Sequence, residues 1–141
     1  MEQVFSDDKV GKIYYDTELE AVVAASKPQE GNLLPEEDYK DFLKKYLEAF
    51  LHFKPQKALM DFREFVFPLT EEIEQWTIEN ISNITYDNGL RYVAYVYPKE
   101  IVTQFSLESF VEKMLKTYKE NGPVRMIFSD FNEAYNWLKS K

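Results

Sequence analysis

The stretch Ala58-Leu59-Met60-Asp61-Phe62-Arg63-Glu64-Phe65-Val66-Phe67-Pro68-Leu69-Thr70 decides how the rest of the chain reads. Ala58, Leu59 and Met60 run straight into an acid, an Arg follows two positions on, and a helix start comes soon after. This predicts a central strand over Lys57 to Phe62 that ends at a polar rim. In open α/β sheets ligands and partners gather beyond the carboxyl ends of the strands. The candidate functional residues are therefore sought at that rim: Asp61, Arg63, Thr70 and Glu71.

Upstream, Pro35 suits the first helical position, and Glu36-Glu37-Asp38 set three carboxylates on the positive end of a helix dipole. Tyr39, Phe42, Leu43, Tyr46, Leu47, Phe50 and Phe53 then recur at helical spacing until Lys54-Pro55 ends the run. Lys12 to Asp16 and Leu19 to Ser26 predict a hairpin around Asp16-Thr17-Glu18. Lys27 to Asn32, with a Pro and a Gly, predicts a loop.

Downstream, Thr70 is the natural N-cap of a helix over Glu71 to Ile81, with Ile73, Trp76, Thr77 and Asn80 or Ile81 along one face. Asn88-Gly89 marks a tight turn, and Leu90 to Tyr97 is a β-rich run stopped by Pro98. Ser106 reads as the cap of a third helix, with Phe105 and Phe110 placed as a hydrophobic staple. Glu112 and Lys116 form an i,i+4 pair, Phe110, Met114 and Tyr118 an inner face, and Asn121-Gly122-Pro123 a stop. Val124 to Phe128 predicts the last strand. Asp130 and Glu133 resemble a capping box before a terminal helix bearing Ala134, Tyr135 and Leu138.

The expected order is ββαβαβαβα: one α/β domain over residues 1–141, with a small, mostly parallel five-stranded sheet flanked by helices. An antiparallel piece belongs near the N-terminal edge. At 141 residues the chain can bury a sizeable core, and 45% hydrophobic with 16% aromatic residues, including ten Tyr and eleven Phe, sets it far from disorder.

A net charge of −8 without a basic stripe argues against nucleic acid and anionic membrane surfaces, and favours a basic protein surface over an anionic ligand. The chain has no Cys, which removes disulfides and thiolate chemistry and predicts a cytoplasmic setting. The N-terminus lacks a secretory signal pattern, and no apolar run is long enough to span a bilayer.

The order of elements and the Ala58–Thr70 run resemble the SpoIIAA-like fold, shared by STAS domains (anti-sigma-factor antagonists) and Sec14-type lipid-binding domains. The likeness is closest to small stand-alone bacterial proteins. It also rests on Trp76 in the helix after the strand, on the aromatic strand ending near Pro98, and on Ala134, Trp137 and Leu138 near the C-terminus. The resemblance implies a regulatory or scaffold module acting through protein–protein contact, or a site for a small apolar or lipid-like ligand between helix and sheet. It also implies that phosphorylation, where STAS regulators use it, would fall at Thr70. This chain has neither the Asp nor the Gly of that family turn, and a phosphate there would gain from the helix N-terminus while meeting Glu71 and Glu72.

Asp61 and Arg63 lie two apart on extended backbone, so their side chains share a face and can pair or meet a partner. His52, the single histidine, belongs to the last turn of the first long helix, where a partly charged imidazole is favourable. One His without Cys names no triad and no zinc site, and no glycine-rich phosphate loop is present. Tyr92, Tyr95 and Tyr97, with Tyr14 and Tyr15, would either line an apolar pocket or pack their rings into the core. The expectation is thus a non-enzymatic protein with no cofactor, metal or catalytic residue. Its partner is another protein, a second copy of itself or a small apolar ligand.

Overall fold

The computed structural model describes residues 1–31 and 33–141; Asn32, at the end of the expected 27–32 loop, lies outside the described residues. In chain order the elements are β1 (Glu2–Asp7), β2 (Gly11–Asp16), β3 (Ala21–Ser26), α1 (Glu36–Phe53), β4 (Lys57–Asp61) and α2 (Glu71–Thr77). α2 runs through a π-helical turn, Ile78–Ser82, into α3 (Asn83–Asp87). Then come β5 (Tyr92–Val96), α4 (Ile101–Tyr118) with a closing 3₁₀ turn, β6 (Val124–Phe128) and α5 (Phe131–Lys139).

The six strands form one sheet in the order β1-β2-β3-β4-β5-β6. β1–β3 are an antiparallel meander, and β3 to β6 are parallel, with Val22, Ala58 and Val93 in register across three of them. The α/β class and mostly parallel sheet agree with the sequence reading; the strand count and order do not. β1 escaped it because five of its six residues are exposed and the sixth only partly buried, leaving no alternation of apolar and polar residues to read. Backbone pairing with β2, aided by Lys12–Glu2 at 2.6 Å, is what holds it.

Alternate strand residues point to two unequal layers. Val22, Ala24, Ala58, Met60, Val93 and Tyr95 face α1, the α2–α3 rod and α4. Ala21, Val23, Leu59, Ala94 and Val96 face the other way, onto Ala134 and Leu138 of α5. The small residues at 21, 58 and 94 let helices approach closely, as does Gly11. A Cβ there would stand 2.4 Å from the Ala25 carbonyl oxygen and 2.7 Å from the Phe42 ring.

α1 buries Tyr39, Phe42, Leu43, Tyr46 and Phe50, as its spacing predicts, while Leu47 and Phe53 are only partly buried. Thr70 caps α2, accepting from the Ile73 N–H at 3.3 Å, and Asp130 caps α5 through Glu133 N–H at 3.2 Å. Ser106 is not a cap. α4 starts a turn and a half earlier, where the Glu100 carboxylate takes the N–H groups of Val102 and Thr103 at 2.7 and 2.9 Å. Phe105 is 65% exposed, so no staple forms. A long acidic side chain replaces the short polar cap, and the β-branched run Ile101-Val102-Thr103 hides the helix start from propensity-based reading.

Candidate functional site

Two places compete, and the rim comes first. Asp61 ends β4 with its side chain 5% exposed, and Arg63 folds back onto it: Nε donates to Oδ1 at 2.8 Å, Nη2 to Oδ2 at 2.7 Å, and the Arg63 backbone N–H to Oδ1 at 3.3 Å. The guanidinium also lies 5.4 Å from the Phe131 ring centre. The pair therefore joins the end of β4 to the start of α5. No hydrogen bond or ion pair joins Thr70 or Glu71 to it among the described residues; Thr70 is occupied as a cap and Glu71 points to solvent. The strand order never reverses, so the crevice that forms at a switch point in doubly wound sheets does not arise here.

Between the helical layer and the sheet lies an apolar cavity of about 70 Å³. Its floor is Met60, Val93 and Tyr95, and α1 contributes Tyr39, Leu43 and Tyr46. Thr77, Ile81, Ser82 and Thr85 come from the α2–α3 rod, and Thr103, Leu107, Phe110 and Met114 from α4. Phe62, Phe65, Phe67, Leu69 and Pro98 close the rim end. The π turn falls on this wall, and such single wide turns recur at functional sites.

Most polar groups facing the cavity are satisfied. The Tyr39 hydroxyl meets Thr77 Oγ1 at 2.9 Å, and that hydroxyl donates to the Ile73 carbonyl at 2.8 Å. Thr85 donates to the Ser82 carbonyl at 3.1 Å, and Thr103 to Glu100 at 2.6 Å. Burial pushes the Tyr39 and Tyr46 hydroxyls well above the usual phenol range. For Tyr46, burial comes first and Tyr95 adds to it, while the positive charge of Arg125 acts in the opposite direction.

Arg125 is the exception. It is 8% exposed, its Nη1 donates to the Tyr95 hydroxyl at 2.7 Å, and its buried Nη2 has no partner. No carboxylate pairs with it within 4.0 Å among the described residues. A buried cation with one neutral partner is a large energetic liability, since desolvation costs several kcal/mol per ion. Sequence reasoning passed over it because β6 reads simply as a short β-rich run. Period two does place Arg125 on the same face as Ile127, and that signal was available.

The tyrosines do not form one pocket. Tyr95 lines the cavity and Tyr15 stacks on Phe53 at 4.6 Å, whereas Tyr14 and Tyr92 face the α5 side, Tyr92 against Trp137. The alternation of β5 sends residues 92 and 95 to opposite faces. His52 sits in the last turn of α1 beside the rings of Phe5 and Phe53. Among the described residues no group of three His, Asp or Glu is placed to hold a metal ion, and no helix is long and apolar enough to cross a membrane.

The chain matches no protein-family model, no curated protein and no solved structure.

Proposed function

We propose that this protein is a non-enzymatic binding module of the cytoplasm that holds a small apolar ligand between its helices and its sheet. The observation that carries this reading is the cavity itself. Protein interiors are packed to crystal density, and at 24 cal/mol per Å³ an empty space of 70 Å³ costs about 1.7 kcal/mol. Retaining that cost on a wall that also carries a π turn suits a ligand. Its size suits a molecule of a few heavy atoms, because drug-sized ligands occupy about 300–1,000 Å³. A lipid chain, as in Sec14-type domains, would need the helices to part.

The test uses the four methionines. Met60 and Met114 line the cavity, while Met1 and Met126 are exposed. In protein labelled with ¹³C at the methionine methyls, xenon under pressure is expected to shift Met60 and Met114 and leave the other two in place. Equal or absent shifts at all four would remove the reading.

A second reading, a regulatory module that docks another protein or a second copy of itself at the strand rim, has its own support. Ile101, Val102 and Phe105 at the head of α4 are 63%, 56% and 65% exposed, an apolar cluster beside the rim. The sequential β/α order is in keeping with the SpoIIAA-like resemblance, whose regulators dock partners near Thr70. Phe105→Asp should then leave the melting temperature unchanged and abolish self-association seen by sedimentation. A wild-type protein that stays monomeric at millimolar concentration removes the second copy as occupant.

A further inference from the structure

We propose that the cavity is a site for a small carboxylic acid, bound as its anion, with the carboxylate on Arg125 and Tyr95 and the alkyl group among the apolar walls. This rests on the cavity's being a ligand site, and it names the ligand's chemistry. Three observations on the same few atoms point to it.

The first is the unpartnered Nη2 of Arg125, nine-tenths buried on the cavity wall with no carboxylate in reach among the described residues. Buried polar atoms are nearly always hydrogen-bonded, and a guanidinium presents its N–H groups as a fork that fits a planar carboxylate. The second is Tyr95. Its hydroxyl accepts from Nη1 at 2.7 Å and, having no other partner among the described residues, keeps its own proton to donate. Nη2 and this hydroxyl together supply donors of the kind that both oxygens of one carboxylate need. The third is the absence of a second cation: among the described residues no Lys or other Arg lines the cavity. A singly charged head group is neutralised by Arg125, whereas a phosphate dianion would remain half unpaired.

The register places Arg125 opposite Val93, near the start of the parallel strands, while Phe62, Phe65 and Pro98 close the far end beyond their carboxyl ends. A ligand lying along the strands would meet the cation at one end and hydrocarbon at the other. The volume is about half that of a 150 Å³ cavity able to take benzene, so a four-carbon acid, with as many heavy atoms as benzene, enters as the flexible Met60 and Met114 side chains move aside. The net charge of −8 opposes anion capture at long range. That field is screened beyond about 8 Å at physiological salt, and Arg125 acts at contact from a dry wall.

The test compares butyrate, butan-1-ol and butylammonium by titration of the Met60 and Met114 methyl resonances in wild-type protein, Arg125→Met and Tyr95→Phe. Wild-type protein is expected to bind butyrate at least tenfold more tightly than the alcohol and to reject the ammonium. Arg125→Met should lose that preference while keeping its affinity for the alcohol, and Tyr95→Phe should lose part of it. Should Arg125→Met fail to fold, Tyr95→Phe alone decides: an unchanged butyrate-to-butanol ratio overturns the proposal. Equal affinity for acid and alcohol in wild-type protein, or binding of the alcohol alone, overturns the carboxylate site and leaves the apolar cavity standing. If neither probe binds and xenon shifts neither methyl, the cavity reading falls as well.

Discussion

Asp61 has both carboxylate oxygens committed to Arg63, and the guanidinium is covered on one side by Phe131. Two residues that the sequence offers as a partner contact thus spend their polar groups on each other. Truncating one member of a buried pair leaves the other charge unpaired. Because the Arg63 side chain is 45% exposed, the cost of Arg63→Ala should be about 1–3 kcal/mol, below that of a fully buried pair. Urea denaturation measures it, and an unchanged midpoint would show that the pair carries no stability. Asp8 gives the pH response at this scale. Burial alone would raise its pKa, but Lys45 and the backbone N–H groups of Val10 and Gly11 outweigh it and hold the carboxyl below its ordinary 3.8. A pKa lower in the folded state means stability that is present above about pH 4 and is lost as pH falls through the lowered value. Asp8→Asn should therefore cost roughly 0.5–1 kcal/mol at pH 7 and flatten the acid side of the stability profile, as read by denaturation at pH 7 and pH 3.

At the scale of elements, caps and edges separate what periodicity reveals from what it hides. Thr70→Ala removes the bond to Ile73 N–H and should lower stability by about 1 kcal/mol. Ser106→Ala, inside α4, should be silent, whereas Glu100→Ala should speed hydrogen exchange at Val102 and Thr103 without affecting the rest of that helix. If Ser106→Ala proves the more damaging, Ser106 and not Glu100 caps the helix. The first turn of α4 is fixed from outside the helix: Thr103 Oγ1 accepts from the Phe67 backbone N–H at 3.1 Å, tying it to the loop after β4. A contact 36 positions away in sequence is invisible to local pattern, which is why Ser106 reads as the cap.

For the molecule as a whole, the two faces of the sheet do different work. α5 packs on one face against small and branched residues, and the three-part helical layer on the other encloses the cavity. β1 adds little to either core, yet it covers the edge of β2, where Ile13 and Tyr14 are buried. Removing residues 1–7 should leave the circular dichroism spectrum nearly unchanged and expose a strand edge ready to pair with another chain. Size-exclusion chromatography should then show concentration-dependent association, and a monomeric truncated protein would mean that β1 protects nothing.

The sequence by itself determined the α/β class, the parallel strands from β3 onward, the amphipathic α1, the caps at Thr70 and Asp130, and the i,i+4 pair Glu112–Lys116. Each of these is written within a few residues, as a period, a cap or a turn. Only the tertiary structure decided that β1 is a strand, that α4 begins at Ile101, that Tyr92 and Tyr95 part to opposite faces, and that Arg125 stands without a counter-charge beside an apolar space. Those facts depend on what lies opposite a residue across the sheet or beneath a helix. A strand records which side chains turn inward, but a cavity is the volume that inward side chains from the sheet and the helices over it fail to fill.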